Sequence, residues 1–182
     1  MRLLSFAPRP VTPVDADVLT ALLPKVRRWV HRILGPSGLL DDVAQDALIE
    51  IAKALPSFRG DAAVDTFAYR ITIRVATKAL RRKRDDISLD LVPPQPDQID
   101  PESQLAHREL MRALYRALDE LPTRLRLTFV LCELEGMTPT EAAVVLGEGA
   151  PTVRSRLRRA RDSVTERLRA DQRLTWLEGD RS

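Results

Sequence analysis

The chain has 182 residues, 29 basic against 26 acidic, with only 4% aromatic. That length suits one domain or two small ones. A formal net charge of +3 means that any pull on a polyanion must come from how the charges are distributed. Cys132 is the only cysteine, which excludes an intrachain disulfide, and His31 and His107 alone make no metal-ligand cluster by spacing. The opening MRLLSFAPRP has too short an apolar run for a secretory signal, and no apolar stretch of about eighteen residues exists to cross a membrane. A cytoplasmic protein that does not insert into membranes is the expectation. Leu, Ala and Val dominate the apolar set and strand-type alternation is nearly absent, so the fold class is all-α.

After an N-terminal tail, residues 1–14, the first predicted helix runs from Asp15 to about Leu34 on Val18, Leu19, Leu22, Val26 and Val30. Pro24 lies inside that pattern and predicts a kink or break. Gly35-Pro36-Ser37-Gly38 makes a turn. A cleaner helix follows from Leu39 to Leu55, with Leu40, Val43, Ala44, Ala47, Leu48, Ile51 and Leu55 in helical period. Its other face carries Asp41, Asp42, Gln45, Asp46 and Glu50. Two readings fit such a face: favourable chemistry with the helix dipole, or a docking surface for a basic partner.

Phe58 to Thr66 reads as a glycine-centred loop, and a third helix from about Thr66 to Arg84 should bury Phe67, Ile71, Val75 and Ala79. Arg70, Arg74, Lys78 and Arg81 line up four cations on another side. Like charges at that spacing cost a few tenths of a kcal/mol per pair, so either water solvates the stripe or a polyanion neutralises it. Charge then changes sign abruptly. Arg70 to Arg84 holds seven basic residues and no acid, whereas Asp85 to Gln104 holds six acids, four prolines and no base. The second segment, residues 85–104, reads as an extended acidic linker. Fully stretched it spans at most roughly 66 to 72 Å, about two turns of B-DNA at roughly 34 to 36 Å each.

Residues 105–170 read as a second small helical domain. Leu105 to Leu121 is amphipathic through Leu110, Met111, Leu114, Leu118 and Leu121, and Pro122 ends it. Thr123 to Glu135 uses Leu125, Phe129, Val130 and Leu134, with Gly136 as its stop and Cys132 as a small buried apolar residue. Thr138, Pro139 and Glu141 then form a capping-box start, and Ala142, Val145 and Leu146 give a short helix one apolar side. Gly147-Glu148-Gly149 supplies a tight turn before a new start at Pro151 and Thr152. The longer helix that follows turns Val153, Leu157, Ala160, Val164 and Leu168 one way and Arg154, Ser155, Arg158, Arg159 and Arg161 the other. A short helix, a tight turn and a longer arginine-bearing helix are the parts of a helix-turn-helix that reads DNA. Taken alone, the arginines would equally suit a solvated face. Residues 171–182, with Trp176, are expected to form a C-terminal tail.

With these parts in order, the chain resembles a bacterial extracytoplasmic-function (ECF) RNA polymerase sigma factor, the small class that keeps conserved regions two and four. The resemblance is carried by DDVAQDALIEIAKAL with FRGDAAVDTFAYRITIRVATKALRRKR, and by ALDELPTRLRLTFVLCELEGMTPTEAAVVLGEGAPTVRSRLRRAR, on either side of the acidic proline-rich separator. It implies a region 2 domain over residues 15–84 and a region 4 domain over residues 105–170. It also implies a chain that binds core RNA polymerase at the β′ clamp and β flap, recognises minus-10 and minus-35 promoter DNA, and helps open the duplex. The acidic face of Asp41, Asp42, Gln45 and Asp46 would then dock on the clamp. Arg59, Asp61, Asp65 and Thr66 would serve a minus-10 loop that receives an extruded base, whose unstacking costs a few kcal/mol. Phe67, Tyr69, Arg70, Arg74, Lys78 and Arg81 would line the melted strand. Thr152, Arg154, Ser155, Arg158, Arg159 and Arg161 would meet the minus-35 element.

Departures are specific. The family typically has tryptophan where Phe67 stands, often asparagine at Arg74 and Lys78, and commonly glycine where Pro151 stands. The preferred minus-10 sequence therefore cannot be copied from a relative. An anti-sigma partner is implied, no cofactor is, and catalysis would belong to the polymerase. Three rivals remain distinct: a polymerase-independent helix-turn-helix regulator, a sigma mimic that only captures an anti-sigma factor, and a nuclease.

Overall fold

The computed structural model describes residues 13–58, 60, 63–85 and 101–171. Among them the chain forms seven α-helices and no strand: α1 Pro13–Leu34, α2 Leu40–Ala54, α3 Val64–Asp85, α4 Pro101–Asp119, α5 Thr123–Phe129, α6 Pro139–Leu146 and α7 Ala150–Ala170. A 3₁₀ turn, Leu55–Ser57, extends α2, and a π-turn, Val130–Leu134, extends α5. Both tails and most of the acidic segment lie outside the described residues, as do Arg59, Asp61 and Trp176.

The first three helices pack on one another around Leu22, Val26, Val30, Ile33, Ala47, Ile51, Ala76 and Leu80. Burial of each large apolar side chain contributes about 1.5–3 kcal/mol. Pro24 does not break α1, contrary to the sequence expectation. Its ring sits on the exposed side, where the Thr20 carbonyl that loses its usual N–H partner is open to water. The third helix begins two residues earlier than expected, which places Asp65 and Thr66 in its first turn and not in the loop.

Its buried face is also rotated from the expected one. Ala68, Tyr69, Ile71, Thr72, Ile73, Ala76 and Leu80 are buried, whereas Phe67, Val75 and Ala79 only flank the core. Thr72 satisfies its buried hydroxyl by donating to the Ala68 carbonyl at 2.9 Å.

In the second half α7 packs against α4, α5 and α6 around Leu118, Leu121, Leu127, Val130, Leu131, Ala142, Val153, Ala160 and Val164. The fourth helix starts at Pro101, so residues 101–104 are helical and not part of an extended linker. Gly136, at φ 70°, reverses the chain after the π-turn, and the Met137 N–H closes on the Leu131 carbonyl at 3.0 Å. Cys132 is only half-buried; desolvation, more than the nearby Glu133, raises its thiol pKa.

The capping box at α6 is complete. The Glu141 N–H donates to Thr138 Oγ1 at 3.3 Å, and the Thr138 N–H donates to Glu141 Oε2 at 2.8 Å. The Thr138 backbone bond, then its hydroxyl, lowers the Glu141 carboxyl below its ordinary 4.5. Because that folded-state pKa is depressed, the contribution is present above pH 4.5 and lost as pH falls through the folded value. We expect Thr138→Ala to cost about 1 kcal/mol, read as a Tm lowered by about 3 °C at neutral pH.

Candidate nucleic-acid interface

Helices α6 and α7 stand as a helix-turn-helix. Gly147 (φ 67°) ends α6, Gly149 caps α7, and Pro151 lies within the first turn of α7, where its missing N–H costs nothing. Arg156 bridges the turn to Glu148 at 2.6 Å, and that bond lowers the Glu148 carboxyl pKa. Val153, Leu157, Ala160 and Val164 are buried while Thr152, Arg154, Arg158 and Arg159 are exposed and Ser155 is half-buried. Anchored on one side, the helix presents three guanidiniums together on the other.

Arg161 belongs elsewhere. Its Nε and Nη2 both donate to Glu133 Oε1, at 2.9 and 2.6 Å, so it ties α7 to the π-turn instead of standing free. Arg167 pairs with Glu120 at 2.7 Å and Arg116 with Asp171 at 2.6 Å. Sequence reading missed Arg156, and the only signal was an acid eight residues upstream, across a turn.

On the first half, Arg70, Arg74, Lys78 and Arg81 emerge exposed along α3. Glu50 of α2 lies within their field: its carboxyl pKa is lowered chiefly by the hydrogen bond from Lys53, with smaller pulls from Arg74 and Lys78. Arg70 Nη2 donates to the Val144 carbonyl of α6 at 2.8 Å. Asp65 accepts from Lys25 Nζ at 2.5 Å, and Thr66 is exposed. Phe67 packs on Phe58 with ring centroids 4.9 Å apart, which ties the residue after the 3₁₀ turn to the start of α3.

Tyr69 is 4% exposed and packs at a tilt against Trp29, ring centroids 4.8 Å apart, in the first core. Burial pushes its hydroxyl pKa far up. A ring held there is a core aromatic and offers no face to a base, because α3 turns its 68/69/72/76 side inward. The acidic face of α2 is exposed at Asp41, Asp42, Gln45 and Asp46, and Asp41 pairs with Arg27 at 2.8 Å. Two exposed apolar residues, Leu39 and Ile49, share the stripe of Asp42 and Asp46 by helical spacing.

Two helical bodies, one with an acidic and a basic helix and one with a helix-turn-helix, define the sigma-70 class. Residues 18–85 match Sigma-70 region 2, and residues 111–164 match Sigma-70 region 4. The ECF RNA polymerase sigma-E factor of Escherichia coli is 33% identical over 155 residues, covering 79% of this chain and 81% of that protein. The RNA polymerase sigma-H factor of Pseudomonas aeruginosa is 31% identical over 161 residues, covering 79% and 83%. The chain therefore belongs to the ECF family of RNA polymerase sigma factors.

Solved structures share the fold. CnrH, in complex with the cytosolic domain of CnrY, superposes with a TM-score of 0.61 at 24% identity, covering 86% of this chain and 88% of the other. The sigma factor RpoE of Bartonella quintana, in complex with the anti-sigma factor NepR, gives 0.62 at 20% identity, covering 88% and 100%. No described helix is long and apolar enough to cross a membrane.

Proposed function

We propose that this alternative sigma factor works through three surfaces, each supported by what it exposes. Region 2 docks on the polymerase clamp through Asp42, Gln45 and Asp46, with Asp41 shared with Arg27. Arg70, Arg74, Lys78 and Arg81 follow the opened minus-10 strand, with Thr66 and the loop around Gly60 at its edge. Thr152, Arg154, Ser155, Arg158 and Arg159 meet the minus-35 duplex. Phosphodiester chemistry stays with core polymerase, in the cytoplasm, and region 4 reaches the β flap. RpoE of Bartonella quintana is held by an anti-sigma factor; we extend that kind of partner to this chain.

The observation that carries the reading is α7, with a fully anchored apolar face and Arg154, Arg158 and Arg159 exposed together opposite it. Guanidinium forks at the start of such a helix suit bidentate bonding to guanine edges, and those further along suit phosphates. In vitro transcription from a genomic-fragment library with core polymerase tests it. Wild type should give promoter-specific transcripts. Arg154→Ala/Arg158→Ala should weaken them about tenfold or more, at roughly 1–3 kcal/mol for each lost bidentate contact. Wild-type protein that binds core polymerase yet yields no specific transcript would overturn the initiation reading in favour of a sigma mimic.

A further inference from the structure

Two arginines flank the exposed trio of α7 without joining it. Arg154, Arg158 and Arg159 are exposed, whereas the Arg156 side chain is 17% exposed and Arg161 is bound to Glu133. At 3.6 residues per turn, Arg156 and Arg161 fall on opposite edges of the arc that carries the other three. Arg156 is therefore the helical neighbour of Thr152, four residues before it, and of Arg159, three residues after it. Swung outward, its guanidinium would stand beside both.

The acid that prevents this is fixed in the turn. Gly147, at φ 67°, lets the Glu148 N–H close on the Ala143 carbonyl at 3.0 Å, and the Val153 N–H donates to the Gly149 carbonyl at 3.1 Å. The backbone on either side of Glu148 is thus held by α6 and by α7. From that anchored position Glu148 Oε2 lies 2.6 Å from Arg156 Nη1, with the acid side chain 27% exposed. The hydrogen bond from Arg156, then its charge and that of Arg124 on α5, hold the Glu148 carboxyl below its ordinary 4.5 against partial burial. At neutral pH the acid is ionised and its grip on Arg156 is charge-assisted.

We propose that Glu148 sets the sequence discrimination of this helix-turn-helix by withholding Arg156 from the DNA backbone. A guanidinium on phosphate adds affinity for every duplex alike and reads no base. With Arg156 bound within the protein, α7 meets DNA through fewer sequence-blind contacts, and a larger share of its binding depends on base edges. Glu148 is a positioning residue, since it acts through the arginine and touches no base itself. The inference deepens the minus-35 reading and rests on it for which duplex is discriminated; the held guanidinium is geometry.

Binding of the full chain to a labelled duplex of arbitrary sequence, followed by fluorescence anisotropy across about 50 to 200 mM KCl, counts the phosphates neutralised. Glu148→Gln keeps the shape of the side chain but leaves Arg156 only a neutral acceptor. It should tighten binding and steepen the slope of log K against log salt by about 0.9, the equivalent of one phosphate. Arg156→Ala should keep the wild-type slope, and Glu148→Gln/Arg156→Ala should return to it. Asp162→Asn makes the same charge change at an exposed acid of α7 that has no ion pair among the described residues, and should leave the slope alone. An unchanged slope in Glu148→Gln, a slope already lowered in Arg156→Ala, or an equal rise in Asp162→Asn contradicts the proposal, as does a Glu148→Gln chain that binds no duplex at the lowest salt. On promoters returned by the genomic library, Glu148→Gln should narrow the yield ratio between each promoter and a copy with scrambled minus-35 bases by about fivefold, the worth of one phosphate contact at physiological salt. A ratio equal to that of wild type would remove Glu148 from discrimination. A wild type that transcribes from no promoter removes the sigma reading, while the slopes still decide whether Arg156 is withheld.

Discussion

Reversing Asp42 to arginine is expected to abolish promoter-specific transcription while leaving the protein folded. Asp42 lies in the first turn of α2, exposed, with no ion pair among the described residues. Its neighbours on the same stripe are Leu39, Asp46 and Ile49, two of them exposed apolar side chains at just over two-fifths accessibility. Acids interleaved with exposed apolar groups suit a basic partner that also buries surface. A cation placed at the centre of such a contact both loses an attraction and adds a repulsion. Losses of about 2–4 kcal/mol are typical of hot spots, or roughly 30- to 1000-fold in affinity for core polymerase.

The cost to the fold is smaller. An arginine at a helix N-terminus gives up about 0.3–1 kcal/mol of dipole stabilisation. A titration of labelled protein with core polymerase therefore separates the two effects, with far-UV circular dichroism as the control. Undiminished transcription by Asp42→Arg would remove the acidic face from the docking surface and return it to simple helix-dipole chemistry.

Arg126→Ala should destabilise the chain by about 3 kcal/mol. Removing the buried guanidinium takes away the charge that faces Asp119 and opens a void. Asp119 is 32% exposed, so water can take over part of its solvation, which holds the loss to the lower end of that range. The Ile33 carbonyl loses its donor as well. Urea unfolding followed by circular dichroism measures the effect. Arg126→Met keeps the stem volume and should lose less. A loss under about 1 kcal/mol for the alanine variant would mean that water already shares this guanidinium in solution.

Much of this was legible from the residues. A capping box needs only Thr138 and Glu141 at the right spacing, and both of its bonds form. The apolar stripe of α7 requires a 3.6-residue period, and four of its five members are buried with Leu168 at the edge. On α3 the same kind of reading went astray by one residue. Ile71 is buried as expected, but Phe67, Val75 and Ala79 only flank the core, while the smaller Ala68, Thr72 and Ala76 are buried. Close helix packing chooses small residues where backbones approach, and a size-weighted pattern cannot see that. Tyr69 went inward with them.

Local order along the chain therefore determined the class, the two helical bodies, the helix-turn-helix and the family, because helix periods, caps and stops act within a few residues. Tertiary structure alone decided which charges are free. Arg161 is tied to Glu133, Asp65 to Lys25, Arg70 to the Val144 carbonyl and Arg126 to the end of α1. Those partners lie 28 to 93 residues away in sequence, and no periodicity records them. An arginine looks the same in a sequence whether it faces DNA, a carboxylate or an uncapped carbonyl; only packing tells which donor each acceptor receives.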